Sequence, residues 1–409
     1  MRHIFLVNSM FFFFFSCTIN NYTTLERQQV SSEFLGLVPG FIEPEDVYQI
    51  IDNLGITWIR KGFHWADIER EQGLFDFGKY DDLVDDVNRN DKRLLAMLAY
   101  EVPWTSAEKG RVVNADDISL YLDFVKEVVS RYRGRIKAYE IWNEPNWIFW
   151  KGTDTEFYEL TKRTVQIIRK TDPDALILGG AFWRVPNRFI EKMFDYGAFD
   201  DIDIISFHPY ASNPEKSLKL YDRLLEILKN KKFEGEIWVT EIGFPTNGWY
   251  PTRVSEDKYP GYIIKTLSGL AARGANKIFW YELSDNYDKY KKGLRIDSEK
   301  FFGLLYPDLT YKKGAFAFAL CGKYLSNTIY IPDFSRNIGF PLSITALYFQ
   351  GENNSTLVLW KNGAGSSLIH LSLPGTGHLR HDISSENSIL IQNEIDISVN
   401  STPLFLTWK

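Results

Sequence analysis

A chain of 409 residues, 44% hydrophobic and 24% charged, can bury a large core, which excludes bulk disorder. The net charge of -6, from 53 acidic and 47 basic residues, leaves no electrostatic footprint for nucleic acid as a partner. Two cysteines, Cys17 and Cys321, exclude a disulfide framework, and six scattered histidines disfavour a metal site. Aromatic residues make up 16% of the chain, a supply of flat apolar faces that fill cores or stack on ring-shaped ligands.

The chain starts with the short basic Met1-Arg2-His3 and the apolar stretch Ile4 to Phe15. That stretch is too short to span a membrane and has the shape of a signal-peptide core. Ser16-Cys17 follows at once, a small residue before cysteine as in bacterial lipoprotein signals. Residues 1–17 are therefore expected to be an export signal ending at a lipidated Cys17, which would be the only membrane contact, or else an ordinary cleaved signal of a secreted protein. Residues 18–32 are polar and aperiodic, and read as a linker.

From residue 33 apolar, β-branched runs alternate with amphipathic stretches. The predicted strands are Phe34–Leu37, Thr57–Arg60, Arg93–Ala99, Ile136–Trp142, Leu176–Gly180, Ile202–Phe207, Ile237–Glu241 and Lys277–Trp280. Between and after them helices are expected at 44–54, 79–90, 116–133, 154–170, 186–196, 214–229, 255–273 and 312–325, punctuated by Thr153, Asn213, Gly55, Gly134, Gly197 and Gly274. Eight strand–helix pairs in about 290 residues predict an α/β fold, a (β/α)8 barrel over 33–326. An open doubly wound sheet is the rival. Its nucleotide-binding version needs a glycine-rich first turn, and Gly36-Leu37-Val38-Pro39-Gly40 lacks that spacing, so no cofactor is implied. Cys321 follows an apolar helical run and reads as a buried thiol. Beyond Leu325 short strand-like runs separated by turn clusters predict a small all-β sandwich over 327–409.

In such barrels the side chains at the C-terminal ends of the strands form the site. Two of those ends carry a glutamate after an otherwise apolar run: Glu144 beyond the fourth strand and Glu241 at the end of the seventh. An acid placed there is costly unless it is paired or used. The two strands lie on opposite sides of the mouth, so the acids face each other, and two carboxyls about 5–5.5 Å apart are what a retaining glycosidase requires.

Trp142-Asn143-Glu144-Pro145 together with Thr240-Glu241 resembles the glycoside hydrolases of clan A, whose fold is a (β/α)8 barrel. The stretch from Arg60 through Trp65-Ala66-Asp67-Ile68-Glu69 and Gly73-Leu74-Phe75-Asp76-Phe77 to Tyr80-Asp81 is most similar to family 39 and its relatives, with family 5 second. The resemblance implies a retaining hydrolase of β-linked sugars acting on an oligosaccharide or polysaccharide. Glu144 would be its acid/base and Glu241 its nucleophile. Asn143 would bind the sugar 2-hydroxyl, Tyr210 would hold the nucleophile, and His208 would line the same subsite. Trp280 would be the floor under the sugar, and Arg60 would support the nucleophile.

Several neighbours stay open. Glu140 could pair with Arg60 as scaffolding. His64, Glu101 and Trp104 could touch sugar or merely pack, and Glu282 could clamp the sugar or be a surface acid. Trp147, Trp150, Trp183 and Trp249 could be stacking platforms or a lid packed on itself. A transglycosylase would use the same residues, and a non-catalytic carbohydrate-binding protein could use the same barrel.

Overall fold

A computed structural model describes residues 26–40, 46–105, 115–248, 253–286, 298–332, 334, 339–380, 383–384 and 387–408. The strands in chain order are β1 (Gln28–Val30), β2 (Leu35–Val38), β3 (Trp58–His64), β4 (Arg93–Ala99), β5 (Ala138–Ile141), β6 (Leu176–Trp183), β7 (Ile204–His208), β8 (Glu236–Ile242) and β9 (Lys277–Tyr281). The helices are α1 (Asp46–Asn53), α2 (Trp65–Ile68), α3 (Gly78–Arg89), α4 (Ala115–Arg131), α5 (Asp154–Thr171), α6 (Asn187–Tyr196), α7 (Pro214–Asn230), α8 (Tyr259–Ala271) and α9 (Lys313–Leu325). Strands β2 to β9 are parallel and close into a barrel, in sequence order, as expected.

Local chemistry explains the helix ends. Thr153 and Glu156 form a reciprocal capping box at the start of α5. The Asn213 side chain accepts from the Lys216 amide ahead of Pro214 in α7. Gly197 ends α6 in the left-handed conformation, φ 75°. Helix α8, expected from residue 255, begins at Tyr259, because Pro260 has no N–H to give and fits the first turn.

The barrel floor is a plug of one side chain from each of seven strands: Trp58, Leu95, Ala138, Leu178, Ile204, Trp238 and Phe279. Trp58 and Trp238 meet edge to face at 4.9 Å. Above this plug alternate residues of the same strands point into the mouth, and the residues between them point out to the helices.

The tail is all-β. Strands β10 (Thr328–Ile331), β11 (Ile344–Gly351), β12 (Ser355–Lys361), β13 (Ser367–Arg380), β14 (Ile389–Val399) and β15 (Leu404–Trp408) join β1 in one antiparallel sheet of order β1-β10-β11-β12-β15-β13-β14. Its central strand β12 is buried on both faces, with period two, whereas the β13–β14 hairpin is buried on one face only. In β12, Val358 and Trp360 join the main core with the barrel, and Leu357 and Leu359 join a second core. That second core lies inside the sheet, where Leu371 and Ile397 of the long β13–β14 hairpin pack with them. The presumed linker thus contributes β1, with Val30 buried in the main core. Cys321 is buried in α9, and burial pushes its thiol far up.

Candidate active site

Strand alternation decides which side chains reach the mouth. In β3, Trp58 belongs to the plug and Arg60 lies one step above it; in β5, Ala138 is followed in the same way by Glu140. The Arg60 guanidinium is 3% exposed and ties the mouth together. Its Nε donates to Glu140 Oε2 at 2.6 Å, one terminal nitrogen to Glu241 Oε1 at 2.6 Å and the other to Asn143 Oδ1 at 2.9 Å. Burial opposes its charge, but the two carboxylates outweigh burial and keep it protonated. Arg60 and Glu140 do pair as scaffolding.

Strand β5 ends one residue earlier than expected, at Ile141, because Trp142 and Glu144 adopt left-handed backbone, φ 65° and 43°. Each such residue costs on the order of 1–3 kcal/mol and persists only where its surroundings fix it. Here Glu144 N–H donates to the Ala181 carbonyl and Glu144 C=O accepts from Trp147 N–H. In β8 the register slips between Val239 and Ile242, so that Thr240 and Glu241 both reach groups of the mouth.

The two glutamates have unequal surroundings. Burial raises the Glu241 carboxyl, but His208, Arg60 and the Tyr210 hydroxyl, which donates to Oε2 at 2.9 Å, outweigh it and hold the group below the usual carboxylate range. Glu144 has one such partner, His208, whose Nδ1 lies 2.8 Å from Oε1. His208 Nε2 lies 3.2 Å from Thr240 Oγ1. Tyr210 is buried beside Glu241, which pushes its phenol well up and keeps it a donor. One carboxylate oxygen of Glu144, one of Glu241 and a nitrogen of His208 lie within 4.8 Å of one another. Among the described residues this is the one group whose donor atoms could gather a cation, but Arg60 already supplies positive charge to it.

Glu144, Glu241, Asn143 and Tyr210 line a cleft of about 490 Å³. His208 lies buried just behind, against Glu144. Trp280 does not reach the cleft. Phe279 is in the plug, so Trp280 points outward, fully buried; its indole N–H donates to Tyr259 OH at 3.2 Å and its ring packs on Phe244 and Phe318. Tyr281, two residues beyond Phe279, lines the cleft instead.

Other aromatic candidates divide. Trp147 and Trp183 stack at 4.0 Å on the cleft wall, with Trp147 47% exposed. Trp150 is buried and donates to the Thr153 carbonyl. Trp104 donates to the Glu69 carbonyl and packs edge-on against Trp65. His64 sits against the Tyr100 ring, off the cleft, and burial lowers its affinity for a proton. Glu101 does not line the cleft, and Glu282 is buried beside Gly40 rather than on the surface. Trp249 and Cys17 lie outside the described residues. Sequence reasoning missed Tyr281, Tyr100 and Glu299, all of which line the cleft. Counting alternation from Phe279 would have found Tyr281; Glu299 comes from a one-turn 3-10 helix, Ser298–Lys300, too short to leave a signal in the sequence. No helix among the described residues is long and apolar enough to cross a membrane.

Residues 28–285 match the family model described as cellulase (glycosyl hydrolase family 5). No curated protein matches the sequence. Solved structures agree in fold at low identity. A family 39 glycoside hydrolase from Bacteroides cellulosilyticus superposes with a TM-score of 0.75 at 19% identity, covering 93% of this chain and 82% of that one. A monomeric β-xylosidase from Caulobacter crescentus gives 0.69 at 15%, covering 93% and 97%. A family 30 endoxylanase from Clostridium papyrosolvens gives 0.61 at 13%, covering 94% and 98%.

Proposed function

The chain belongs to the cellulase family, glycosyl hydrolase family 5, and from that premise we propose that it is a retaining glycosidase that cleaves β-linked sugars by double displacement. The observation that carries the proposal is that one carboxylate oxygen of Glu144 and one of Glu241 lie within 4.8 Å of each other, which leaves little room for a water between them. Retaining enzymes hold the two groups about 5–5.5 Å apart, and inverting enzymes leave about 6.5–9.5 Å for a water.

Glu241, kept ionised by Arg60 and Tyr210, attacks the anomeric carbon. The bond to the leaving oxygen breaks as Glu144 gives that oxygen its proton, leaving a glycosyl ester on Glu241. Water then attacks the anomeric carbon, Glu144 takes its proton, and the ester breaks to restore the Glu241 carboxylate. Asn143, with its carbonyl oxygen held by Arg60, is placed to meet a sugar hydroxyl. Two of the structural neighbours are described as a β-xylosidase and an endoxylanase, which makes β-xylosides the first substrates to assay.

The test separates the two acids. Glu241→Ala abolishes turnover of every substrate. Glu144→Ala loses far more activity on an oligosaccharide than on an aryl glycoside with an activated leaving group, and added azide rescues it. Equal losses on both substrates without an azide product place the acid/base elsewhere. The proposal extends to location: an exported lipoprotein held by Cys17. Cys17→Ala then moves the protein out of the membrane fraction or blocks its maturation, and an unchanged membrane fraction refutes the anchor.

A further inference from the structure

Four charged side chains among the described residues line the cleft: Glu144, Glu241, Glu299 and Arg184. Three are acids and one is a cation. Glu241 and Glu299 go with Tyr210 and Tyr281, each tyrosine donating to one of them, at 2.9 and 3.2 Å. Arg184 follows Trp183 at the end of β6, and Trp183 stacks on Trp147 from the stretch that follows Glu144. Trp147 N–H donates to the Glu144 carbonyl, and Asn146 and Trp183 exchange two hydrogen bonds, at 2.8 and 3.0 Å.

Arg184 is held rather than loose. Its backbone is left-handed, φ 58°, with its N–H donating to the His208 carbonyl. Its guanidinium carbon lies 4.4 Å from the Trp183 ring centroid, and its Nε donates to the Tyr210 carbonyl at 3.2 Å. Its terminal nitrogens make no hydrogen bond among the described residues. A guanidinium anchored through Nε and one flat face presents those two nitrogens as a fork, the geometry that takes a carboxylate bidentately.

We propose that Arg184, with the Trp147–Trp183 stack, forms a leaving-group subsite for a sugar carrying an acidic substituent, next to a neutral sugar bound between Glu241 and Glu299. This rests on the glycosidase reading above, because the acid that protonates the leaving oxygen marks the side on which the leaving group sits. That sugar sits at the edge of the Trp147–Trp183 stack, and its anionic group meets the guanidinium fork. The carboxylates on the other side disfavour a second anion at the position of attack.

The test uses pairs of aryl β-glycosides that share sugar and differ in the ring: nitrophenyl against carboxy-nitrophenyl, with a sulfo-nitrophenyl member added. The full chain is expected to favour the carboxylated ring about two- to fivefold in kcat/KM, carried by KM, since Arg184 is exposed and an exposed charge pair contributes up to about 1 kcal/mol. The preference shrinks with added salt. Arg184→Gln abolishes it, Arg184→Glu inverts it, and Arg184→Lys restores part of it. Preference for the carboxylated ring over the sulfonated one assigns a uronic acid, and the reverse assigns a sulfated sugar. A preference that is absent, or that survives Arg184→Gln, overturns the inference and leaves the glycosidase reading intact. No hydrolysis of any pair removes the glycosidase reading and this inference with it.

Discussion

Replacing Tyr210 by Phe removes one hydroxyl and nothing else from the cleft. That hydroxyl donates to Glu241 Oε2 at 2.9 Å, in a site where the carboxylate is otherwise held by Arg60 and the nearby His208. A hydrogen bond to a charged group contributes about 1.5–3 kcal/mol. Its loss therefore raises the Glu241 carboxyl back toward the usual carboxylate range. The sign follows from the depressed state of Glu241 in the folded chain. Its ionised form adds stability above its unfolded pKa, and that contribution is lost as pH falls through the folded value. The acid limb of the kcat/KM profile, which reports the nucleophile in the free enzyme, therefore moves to higher pH in Tyr210→Phe. Acid unfolding begins at higher pH as well. Rates on an aryl glycoside across pH 3–8, with thermal unfolding at the same pH values, read both effects. An acid limb that stays in place while the rate falls would refute the role given to Tyr210 and show that Arg60 and His208 alone set the charge of Glu241.

Tyr281→Ala raises KM at least several-fold with little change in stability, because Tyr281 lines the cleft, whereas Trp280→Ala lowers stability by about 3–5 kcal/mol through an emptied core site. Steady-state kinetics beside urea unfolding tells these apart, and the opposite pattern restores Trp280 as the sugar floor. Leu178→Ala, in the fully buried plug, costs about 2–5 kcal/mol in urea unfolding, and a loss under about 1 kcal/mol would mean that the plug is not close-packed.

The barrel was legible because buried parallel strands and capped helices alternate without interruption, each with its own period. Arg60, Glu140, Asn143, Glu144 and Glu241 were legible because each is a polar residue at or just beyond the end of an apolar run, where burial demands a partner. Trp280 was misplaced by one residue. A run such as Lys277-Ile278-Phe279-Trp280-Tyr281 is apolar on both faces, so composition cannot say which parity faces the lumen; only the plug residue Phe279 does. Pro374-Gly375 looks like a stop, yet the β13–β14 pairing resumes beyond an irregularity between Ser372 and Thr376. Strand β1 was read as tether because three residues carry no usable period.

That short strand sits immediately before the first barrel strand, and its partner β10 immediately follows the last barrel helix. The pairing Gln28↔Tyr330 to Val30↔Thr328 is therefore a clasp between the two ends of the barrel. A fragment cut at residue 33 to isolate the barrel and tail would open it, baring β10 as a new edge with Ile329 already 38% exposed, ready to pair with other chains. A fragment cut after residue 326 would strip the apolar cover from α9 and leave β1 without a sheet. The barrel and its tail are thus expected to unfold as one piece, and neither can be traded for another module without rebuilding the seam.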